Sequence, residues 1–415
     1  MVQHVVISGT NLCQHLQQTG TQLRSLPVFP VSQGAAKRPA PSRRQQQQLC
    51  TCQAASEEQP LDRRALLGAG VALTAAGQLS LPRSAPAQNV YKDWERVNLD
   101  VDPNIVLLDV GFEESDPNHG FLLGSRQTLL ETKDAGRTWS PRSIAAAKEE
   151  GFNYRFTSIS FSGAEGWIVG KPAILLHTTD GGSNWERVPL SAKLPGNPIL
   201  VKAIEGKSGQ AEMTTDQGAV YVTDNAAYTW TAAVQETVDA TLNRTVSSGI
   251  SGASYYEGSF SNINRSPDGE YVAVSSRGNF YLTWSPGQTF WQPHNRPSAR
   301  RVQNMGWTPT NRLWLATRGG DVYFGSDKGS TGNFDQVKLG SRGFGILDVG
   351  FLDKTLGFAC GGSGTLFRTE DGGKAWKRDR SADDIAGNLY SIKFFPQNKS
   401  GFILGNAGIL LRFLA

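Results

Sequence analysis

The hydrophobic and polar positions of this chain follow a pattern that recurs about every 45 residues. In each unit, an alternating run such as T-S-I-S-F (157–161) precedes a short turn and a glycine-flanked apolar segment such as G-W-I-V-G (166–170). A third apolar segment, an aspartate-containing turn and an aromatic segment complete the unit. Alternation with a period of two is typical of β-strands, and the 3.6-residue period of a helical solenoid is absent. The pattern therefore predicts four short strands in each unit.

The aspartate-containing turns are copies of one motif. The clearest copies are T-K-D-A-G-R-T-W (132–139), T-T-D-G-G-S-N-W (178–185), T-D-N-A-A-Y-T-W (223–230) and T-E-D-G-G-K-A-W (369–376). These turns resemble the Asp boxes of sialidases, in which the aspartate can accept backbone N–H groups and the aromatic ring packs between sheets. A catalytic acid is needed once, not in most units. We therefore expect a structural role for Asp134, Asp180, Asp224 and Asp371.

With weaker copies included, seven aromatic residues mark the units: Trp94, Trp139, Trp185, Trp230, Trp291, Phe334 and Trp376. Seven units of four strands predict an all-β fold, a seven-bladed β-propeller of four-stranded antiparallel blades. The last unit has only three strands, at 389–395, 401–405 and 409–413, whereas 90–97 is a strand without a unit. We expect the N-terminal strand to join the C-terminal blade and close the ring. Six blades with disordered ends are the alternative.

The first 87 residues differ in composition from the remainder. No acidic residue occurs before Glu57, the pair Arg63-Arg64 precedes an uncharged stretch, and 85–87 has the small-x-small form of a processing site. These features predict a bipartite targeting leader at 1–87, a chloroplast transit peptide plus a twin-arginine thylakoid signal, which is removed. The predicted location is the thylakoid lumen, and the propeller is predicted at 88–415. An anchoring helix at 65–81 is the alternative for the second signal.

The leader also accounts for the net charge of +4. Residues 1–87 contain eight basic and three acidic residues, which leaves 33 basic and 34 acidic residues in the remaining chain. A nearly neutral propeller is not expected to bind nucleic acid through its overall charge. The mean hydropathy of −0.34 argues against a polytopic membrane protein. With five histidines and four cysteines in the chain, no metal site or cofactor is predicted.

The basic residues of the propeller are predicted to gather on one face. In an antiparallel blade, the turn between the second and third strands lies on the same face as the crossover to the next blade. Such a face binds carboxylates of a protein partner, or phosphate or sulfate groups; a solvated rim of locally paired arginines is the alternative. The predicted patch comprises Arg126, Arg155, Lys171, Arg244, Arg277, Arg300, Arg301, Arg318 and Arg342.

One long insertion, at about 236–258, emerges on the same predicted face and is expected to take part in binding. Its residues also supply the one constellation that suggests an enzyme or a carbohydrate-binding propeller. Tyr255 or Tyr256 with Glu257, facing Arg126 and Arg277, could imitate the site of a sialidase-like glycoside hydrolase. Sialidases, however, resemble six-bladed rings, and their F/Y-R-I-P motif is missing here. No catalytic residue is predicted.

The combination of these features resembles one family. The twin-arginine leader, the Asp-box repeats, W-E-R-V at 94–97 and the stretch N-R-T-V-S-S-G-I-S-G-A-S-Y-Y-E-G-S-F-S at 243–261 are similar to the photosystem II stability/assembly factors of chloroplasts and cyanobacteria. The resemblance covers 88–415. It implies a non-enzymatic lumenal propeller that associates with the newly made reaction-centre core subunit and with reaction-centre assembly complexes. It also implies an arginine patch on one face, and a monomer that meets the membrane through protein contacts.

Overall fold

The computed structural model describes residues 93–148, 151–234, 259–329, 332–341 and 343–414. These residues form seven four-stranded antiparallel sheets, each built from strands that follow one another in sequence except where the ring closes. The predicted seven-bladed β-propeller is confirmed. Two 3₁₀ turns, Ala145–Ala147 and Pro396–Asn398, are the helical segments of the described chain, and no helix in it is long and apolar enough to cross a membrane.

The strands are numbered in chain order, and in each blade the first strand lies next to the central channel. Blade 1 consists of β2 (Leu107–Phe112), β3 (Gly120–Gly124), β4 (Leu129–Thr132) and β5 (Ser140–Pro141). Blade 2 consists of β6 (Arg155–Ser162), β7 (Glu165–Lys171), β8 (Ile174–Thr178) and β9 (Glu186–Arg187). Blade 3 consists of β10 (Pro198–Ala203), β11 (Ala211–Thr215), β12 (Val220–Thr223) and β13 (Thr231–Ala232). Blade 4 consists of β14 (Phe260–Arg265), β15 (Tyr271–Ser275), β16 (Phe280–Trp284) and β17 (Gln292–Asn295).

Blade 5 consists of β18 (Val302–Trp307), β19 (Leu313–Thr317), β20 (Asp321–Gly325) and β21 (Phe334–Lys338). Blade 6 consists of β22 (Ile346–Phe351), β23 (Gly357–Gly361), β24 (Leu366–Thr369) and β25 (Lys377–Arg378). Blade 7 combines both ends of the described chain: β26 (Leu389–Phe395), β27 (Ser400–Gly405), β28 (Leu410–Phe413) and β1 (Trp94–Val97).

The ring closes as predicted, because β1 is the outermost strand of blade 7. It pairs with β28 in antiparallel register, from Trp94 opposite Phe413 to Val97 opposite Leu410. The Trp94 ring is 4% exposed and lies 5.1 Å from the ring of Phe358 in blade 6. The alternative of six blades is therefore wrong.

The glycine-flanked second strands are buried because aromatic rings cover them. A Cβ atom at Gly120 would lie 2.6 Å from the ring of Phe112, and Gly166 and Gly357 meet the rings of Phe161 and Phe351 in the same way. Each ring belongs to a residue near the end of the inner strand of the same blade, where it fills the space that a side chain on the glycine would need. Close packing of the second strand against the aromatic ring of the inner strand therefore explains the G-x-x-x-G pattern.

Polar side chains on the inner strands join neighbouring blades. Each inner strand has a β-bulge near its start, and in blades 1 and 6 the residue after the bulge is an aspartate that bonds to the next blade. Asp109 Oδ2 accepts a hydrogen bond from Ile159 N at 2.9 Å, and Asp348 Oδ2 accepts one from Ile392 N at 2.8 Å. Lys393 Nζ donates to Asp109 Oδ1 at 2.8 Å and so links blade 7 to blade 1. The sequence analysis missed these contacts.

Candidate functional site

The aspartates of three Asp boxes are held inside their own turns. In blade 2, Asp180 Oδ1 accepts hydrogen bonds from Thr178 Oγ1 at 2.7 Å and from Asn184 N at 2.9 Å, while Asn184 Nδ2 donates to Oδ2 at 2.7 Å. Asp134 and Asp371 make the equivalent contacts in blades 1 and 6. The hydrogen bonds from Asn184 hold the pKa of Asp180 below its usual value. These carboxylates are occupied by backbone and hydroxyl donors.

The prediction for Asp224 is wrong, because the neighbouring Asn225 occupies the box position in blade 3. Asn225 Oδ1 accepts hydrogen bonds from Thr229 N at 2.9 Å and from Thr223 Oγ1 at 3.1 Å. Asp224 is exposed and makes no hydrogen bond with a described residue. In the other boxes the aspartate stands five residues before the tryptophan, and five residues before Trp230 is position 225. This spacing could have identified Asn225.

The predicted separation of the turns onto two faces follows from the strand order. We call the face with the second-to-third turns and the crossovers between blades the crossover face, and the opposite face, with the Asp boxes, the box face. Backbone hydrogen bonds join the two kinds of segment on the crossover face. Gln127 N donates to Tyr154 O at 2.7 Å, Arg318 N to Arg301 O at 2.9 Å, and Gly364 N to Gly387 O at 2.9 Å.

Four predicted arginines lie together where blades 4 and 5 meet on the crossover face. Arg318 N donates to Arg301 O, and Arg300 Nη1 donates to Gly319 O at 3.0 Å. Val302 N donates at 2.8 Å to the carbonyl of Gly278, the residue that follows Arg277. All four side chains are exposed. We call Arg277, Arg300, Arg301 and Arg318 the four-arginine cluster.

The described residues compensate little of the charge of this cluster. Among the described residues, its one ion pair joins Arg300 Nε to Asp321 Oδ2 at 3.8 Å, a separation at which an exposed pair contributes little. Arg277, Arg301 and Arg318 make no ion pair with a described residue. With one nearby carboxylate among the described residues, the four guanidinium groups form a positive surface that can hold two or more carboxylates.

Two other predicted members of the patch are paired within the protein. Arg126 Nη1 lies 2.9 Å from Asp102 Oδ2, and Lys171 Nζ lies 2.6 Å from Asp216 Oδ2. Burial raises the pKa of Asp216, but hydrogen bonds from Lys171 and Asn197 outweigh this effect and leave the pKa below its usual value. In blade 1, and where blades 2 and 3 meet, the crossover face therefore matches the alternative of a rim of locally paired basic residues.

Arg155 is exposed at the start of β6 and makes no ion pair with a described residue. Burial raises the pKa of Tyr390 on the inner strand of blade 7, and the positive charge of Arg155 partly opposes this rise. Arg155 therefore lies close to the inner strands, apart from the four-arginine cluster of blades 4 and 5.

Several predicted residues lie outside the described part of the chain. Among them are Arg244 and Arg342 of the patch and the whole constellation Tyr255, Tyr256 and Glu257. The described residues that flank the insertion lie beside the four-arginine cluster, because Ser276 N, next to Arg277, donates to Ser259 O at 3.1 Å. Arg126 belongs to blade 1 and Arg277 to blade 4, three blades away.

Within the described ranges, no group of three or more histidine, cysteine, aspartate or glutamate side chains could hold a metal ion. Two of the described histidines contact glutamates within their own blades. His119 bridges Glu113 and Glu131 in blade 1, with its Nε2 atom 2.8 Å from Glu131 Oε1, and His177 contacts Glu165 in blade 2 at 2.7 Å. Both lie in the box-face half of their blades and do not contact the four-arginine cluster.

The fold and this surface define a class, that of Asp-box β-propellers with an arginine-rich face. Comparison with known families identifies the family within this class. The family described as "Photosynthesis system II assembly factor YCF48" matches residues 86–414, and the chain belongs to this family. The resemblance inferred from the sequence is confirmed.

Named relatives agree with this assignment. "Photosystem II stability/assembly factor HCF136, chloroplastic" from Arabidopsis thaliana is 62% identical over 335 residues, which are 81% of this chain and 82% of the relative. The solved structure "YCF48 bound to D1 peptide" is 43% identical with a TM-score of 0.68, and covers 80% of this chain and 100% of its own. "YCF48 from Cyanidioschyzon merolae" is 47% identical with a TM-score of 0.69, and covers 77% and 98% respectively.

Proposed function

We propose that this chain is a non-enzymatic photosystem II assembly factor of the thylakoid lumen. Its crossover face binds acidic, lumen-exposed segments of the newly made reaction-centre subunit D1 and of reaction-centre assembly complexes. It holds these segments until later subunits arrive. The protein is a monomer and meets the membrane only through these protein contacts.

The four-arginine cluster is the observation that carries this proposal. Planar guanidinium groups bind carboxylates through paired hydrogen bonds, and among the described residues this cluster has fewer acidic neighbours than it can satisfy. The relative named as bound to a D1 peptide is 43% identical over most of this chain, which supports D1 as the partner. Arg155 extends the basic surface toward the channel. We assign Arg244 and Arg342 to the same patch by topology alone.

The absence of enzymatic activity is proposed on two grounds. The relatives are named as assembly factors, and the Asp-box carboxylates are occupied inside their turns. A fluorogenic sialoside tests this part of the proposal. Turnover that disappears on replacing Tyr255 and Tyr256 by Phe would contradict it.

The lumenal location rests on the predicted leader at 1–87 and on relatives that are named chloroplastic. If the leader is removed as proposed, the protein isolated from thylakoid lumen begins close to residue 88. The mass of the intact lumenal protein measures this directly, and a full-length mass would refute the proposed processing.

Charge reversal tests the binding face. We expect Arg277→Glu/Arg301→Glu/Arg318→Glu to weaken binding to D1 peptides by at least about tenfold, because attraction becomes repulsion at the centre of the cluster. Binding of the unaltered protein should also weaken with added salt, since exposed charges are screened over about 8–10 Å at physiological ionic strength. Fluorescence anisotropy with labelled peptides that tile the lumen-exposed segments of D1 measures both effects.

A matched control reverses three exposed lysines of the box face. Lys133→Glu/Lys354→Glu/Lys377→Glu changes the net charge by the same amount, and we expect it to retain most of the affinity. Equal losses in the two triple variants would indicate general electrostatic attraction and overturn the proposed face. Arg126→Gln alone should have a smaller effect than the triple variant, because Arg126 is already paired with Asp102 and lies in blade 1, away from the four-arginine cluster.

A further inference from the structure

Phe344 is the most exposed phenylalanine side chain among the described residues, with 69% of its surface open to solvent. It lies in the crossover from blade 5 to blade 6, and so on the crossover face. Single exposed apolar side chains are common in folded proteins and need no explanation by themselves. The position of Phe344 relative to the arginines gives this one its significance.

The crossover that carries Phe344 packs against Gly319 and Gly320, the turn that follows Arg318. A Cβ atom placed on Gly345 would lie 2.6 Å from Gly320 N, and one on Gly319 would collide with Arg300 Nη1. Gly319 and Gly320 have φ values of +99° and +100°, which favour glycine. Because neither residue has a side chain, Arg300 and Gly345 can both contact this turn from neighbouring blades. The backbone of Phe344, which precedes Gly345, therefore lies close to the turn that follows Arg318 and that Arg300 contacts.

An aromatic side chain next to arginines has a known significance at protein interfaces. Aromatic residues and arginine are enriched at the centres of interfaces, where a few of them supply most of the affinity. Arginines alone speed association and distinguish acidic from basic segments, but they add little to affinity and do not recognise the apolar side chains of a segment. An exposed phenylalanine adds discrimination, since it removes a partner's apolar side chain from water.

We propose that Phe344 and the four-arginine cluster form one peptide-binding site, whose ligand is an extended acidic segment with an apolar side chain between its carboxylates. The arginines hold the carboxylates, and Phe344 packs against the apolar side chain. This inference rests on the proposed function and specifies which segments the crossover face selects.

The test combines one substitution in the protein with one in the peptide. The probe is the labelled D1 segment that binds the unaltered protein most tightly, together with versions in which each apolar residue is replaced by Ser. We expect Phe344→Ala to weaken binding about five- to tenfold. The loss should persist at high salt, where the contribution of the arginines fades. The variant should also no longer distinguish the segment from one of its serine versions.

Tyr228→Ala is the matched control, because Tyr228 is 90% exposed on the box face. It should bind every peptide as the unaltered protein does. If Phe344→Ala binds and discriminates like the unaltered protein while the triple arginine variant does not bind, the role of Phe344 is refuted and the proposed function stands. If no D1 segment binds the unaltered protein, the proposed function fails and this inference fails with it.

Discussion

Asp109 and Asp348 occupy the same position in the inner strands of blades 1 and 6, directly after the bulge. The sequence shows this equivalence, because both lie in copies of L-D-V-G-F. Their surroundings differ: Asp109 pairs with Lys393, whereas Asp348 accepts hydrogen bonds from Asn304, Val349 and Ile392 without a cation. The sequence could not predict this difference, since the partners belong to other blades. Repeats reveal equivalent positions, and the three-dimensional neighbours decide their chemistry.

Asp348 should make the stability of the protein depend on pH. Its carboxyl group has protein on most sides, and this burial raises its pKa to about 7, although three N–H donors oppose the rise. Between its unfolded pKa near 4 and this value, the folded state binds a proton that the unfolded state does not. The stabilisation from this group is therefore complete below pH 4 and is lost as the pH rises through 7.

The variant Asp348→Asn isolates this contribution, because an amide does not titrate. We expect the free energy of unfolding of the unaltered protein, relative to that of the variant, to fall by up to about 1.4 kcal/mol per pH unit between pH 5 and pH 7. Urea unfolding of both proteins at several pH values measures the difference. Parallel pH profiles would show that Asp348 does not titrate in this range.

The Asp box is the element that the sequence analysis placed most accurately, apart from the misassigned residue in blade 3. Its hydrogen bonds are local, so a short motif contains nearly all of the information. The same locality explains why asparagine can replace aspartate at 225, since one side-chain oxygen accepts from Thr229 N and from Thr223 Oγ1. A negative charge is therefore not required at this position of the turn.

Two adjacent substitutions in blade 3 test this assignment. Asn225→Ala removes the acceptor of two hydrogen bonds and should lower the free energy of unfolding by about 1–2 kcal/mol. Asp224→Ala should change it by less than about 0.5 kcal/mol, because the exposed Asp224 has no partner among the described residues. Chemical denaturation of the two variants decides between them, and a larger loss for Asp224 would restore the original assignment.

Strand positions were also predictable at this scale. For the second and third strands of blade 7, the predicted ends agree with the observed ends to within one residue. The predicted 401–405 and 409–413 correspond to Ser400–Gly405 and Leu410–Phe413. Period-two alternation and glycine flanks are properties of single strands, so they are visible in the sequence. The ion pairs Arg126–Asp102 and Lys171–Asp216 were not predicted, because each joins segments from different blades. The sequence therefore indicated the arginine face but not which of its arginines remain uncompensated.

The whole molecule depends on the pairing of β1 with β28. Trp94 packs against Phe358 and Phe413, with ring centroids 5.1 and 5.2 Å away, and Arg412 Nε donates to Glu95 Oε1 at 2.6 Å. The sequence predicted this closure because one strand was missing at one end of the repeat array and one was surplus at the other. It could not predict the aromatic cluster that joins blades 6 and 7.

Trp94→Ala tests the closure. Removing a buried tryptophan from this cluster should lower the free energy of unfolding by about 3–5 kcal/mol. Hydrogen exchange should then show blade 7 opening before the other blades, since its outer strand is least secured. The exposed Tyr228→Ala should leave stability nearly unchanged. A Trp94 variant with unaltered stability would show that the ring does not need this strand.

The order of synthesis adds a consequence to this closure. Glu95 is translated 317 residues before its partner Arg412, so β1, the first strand of the described chain, cannot pair until β28 has been made. A ribosome that stops early releases an open arc with unpaired strand edges at both ends, and such edges invite aggregation and cleavage. Only a chain translated through its final strands can hide them. We therefore expect chains that lack β28 to aggregate or to be cleaved more readily than the closed ring.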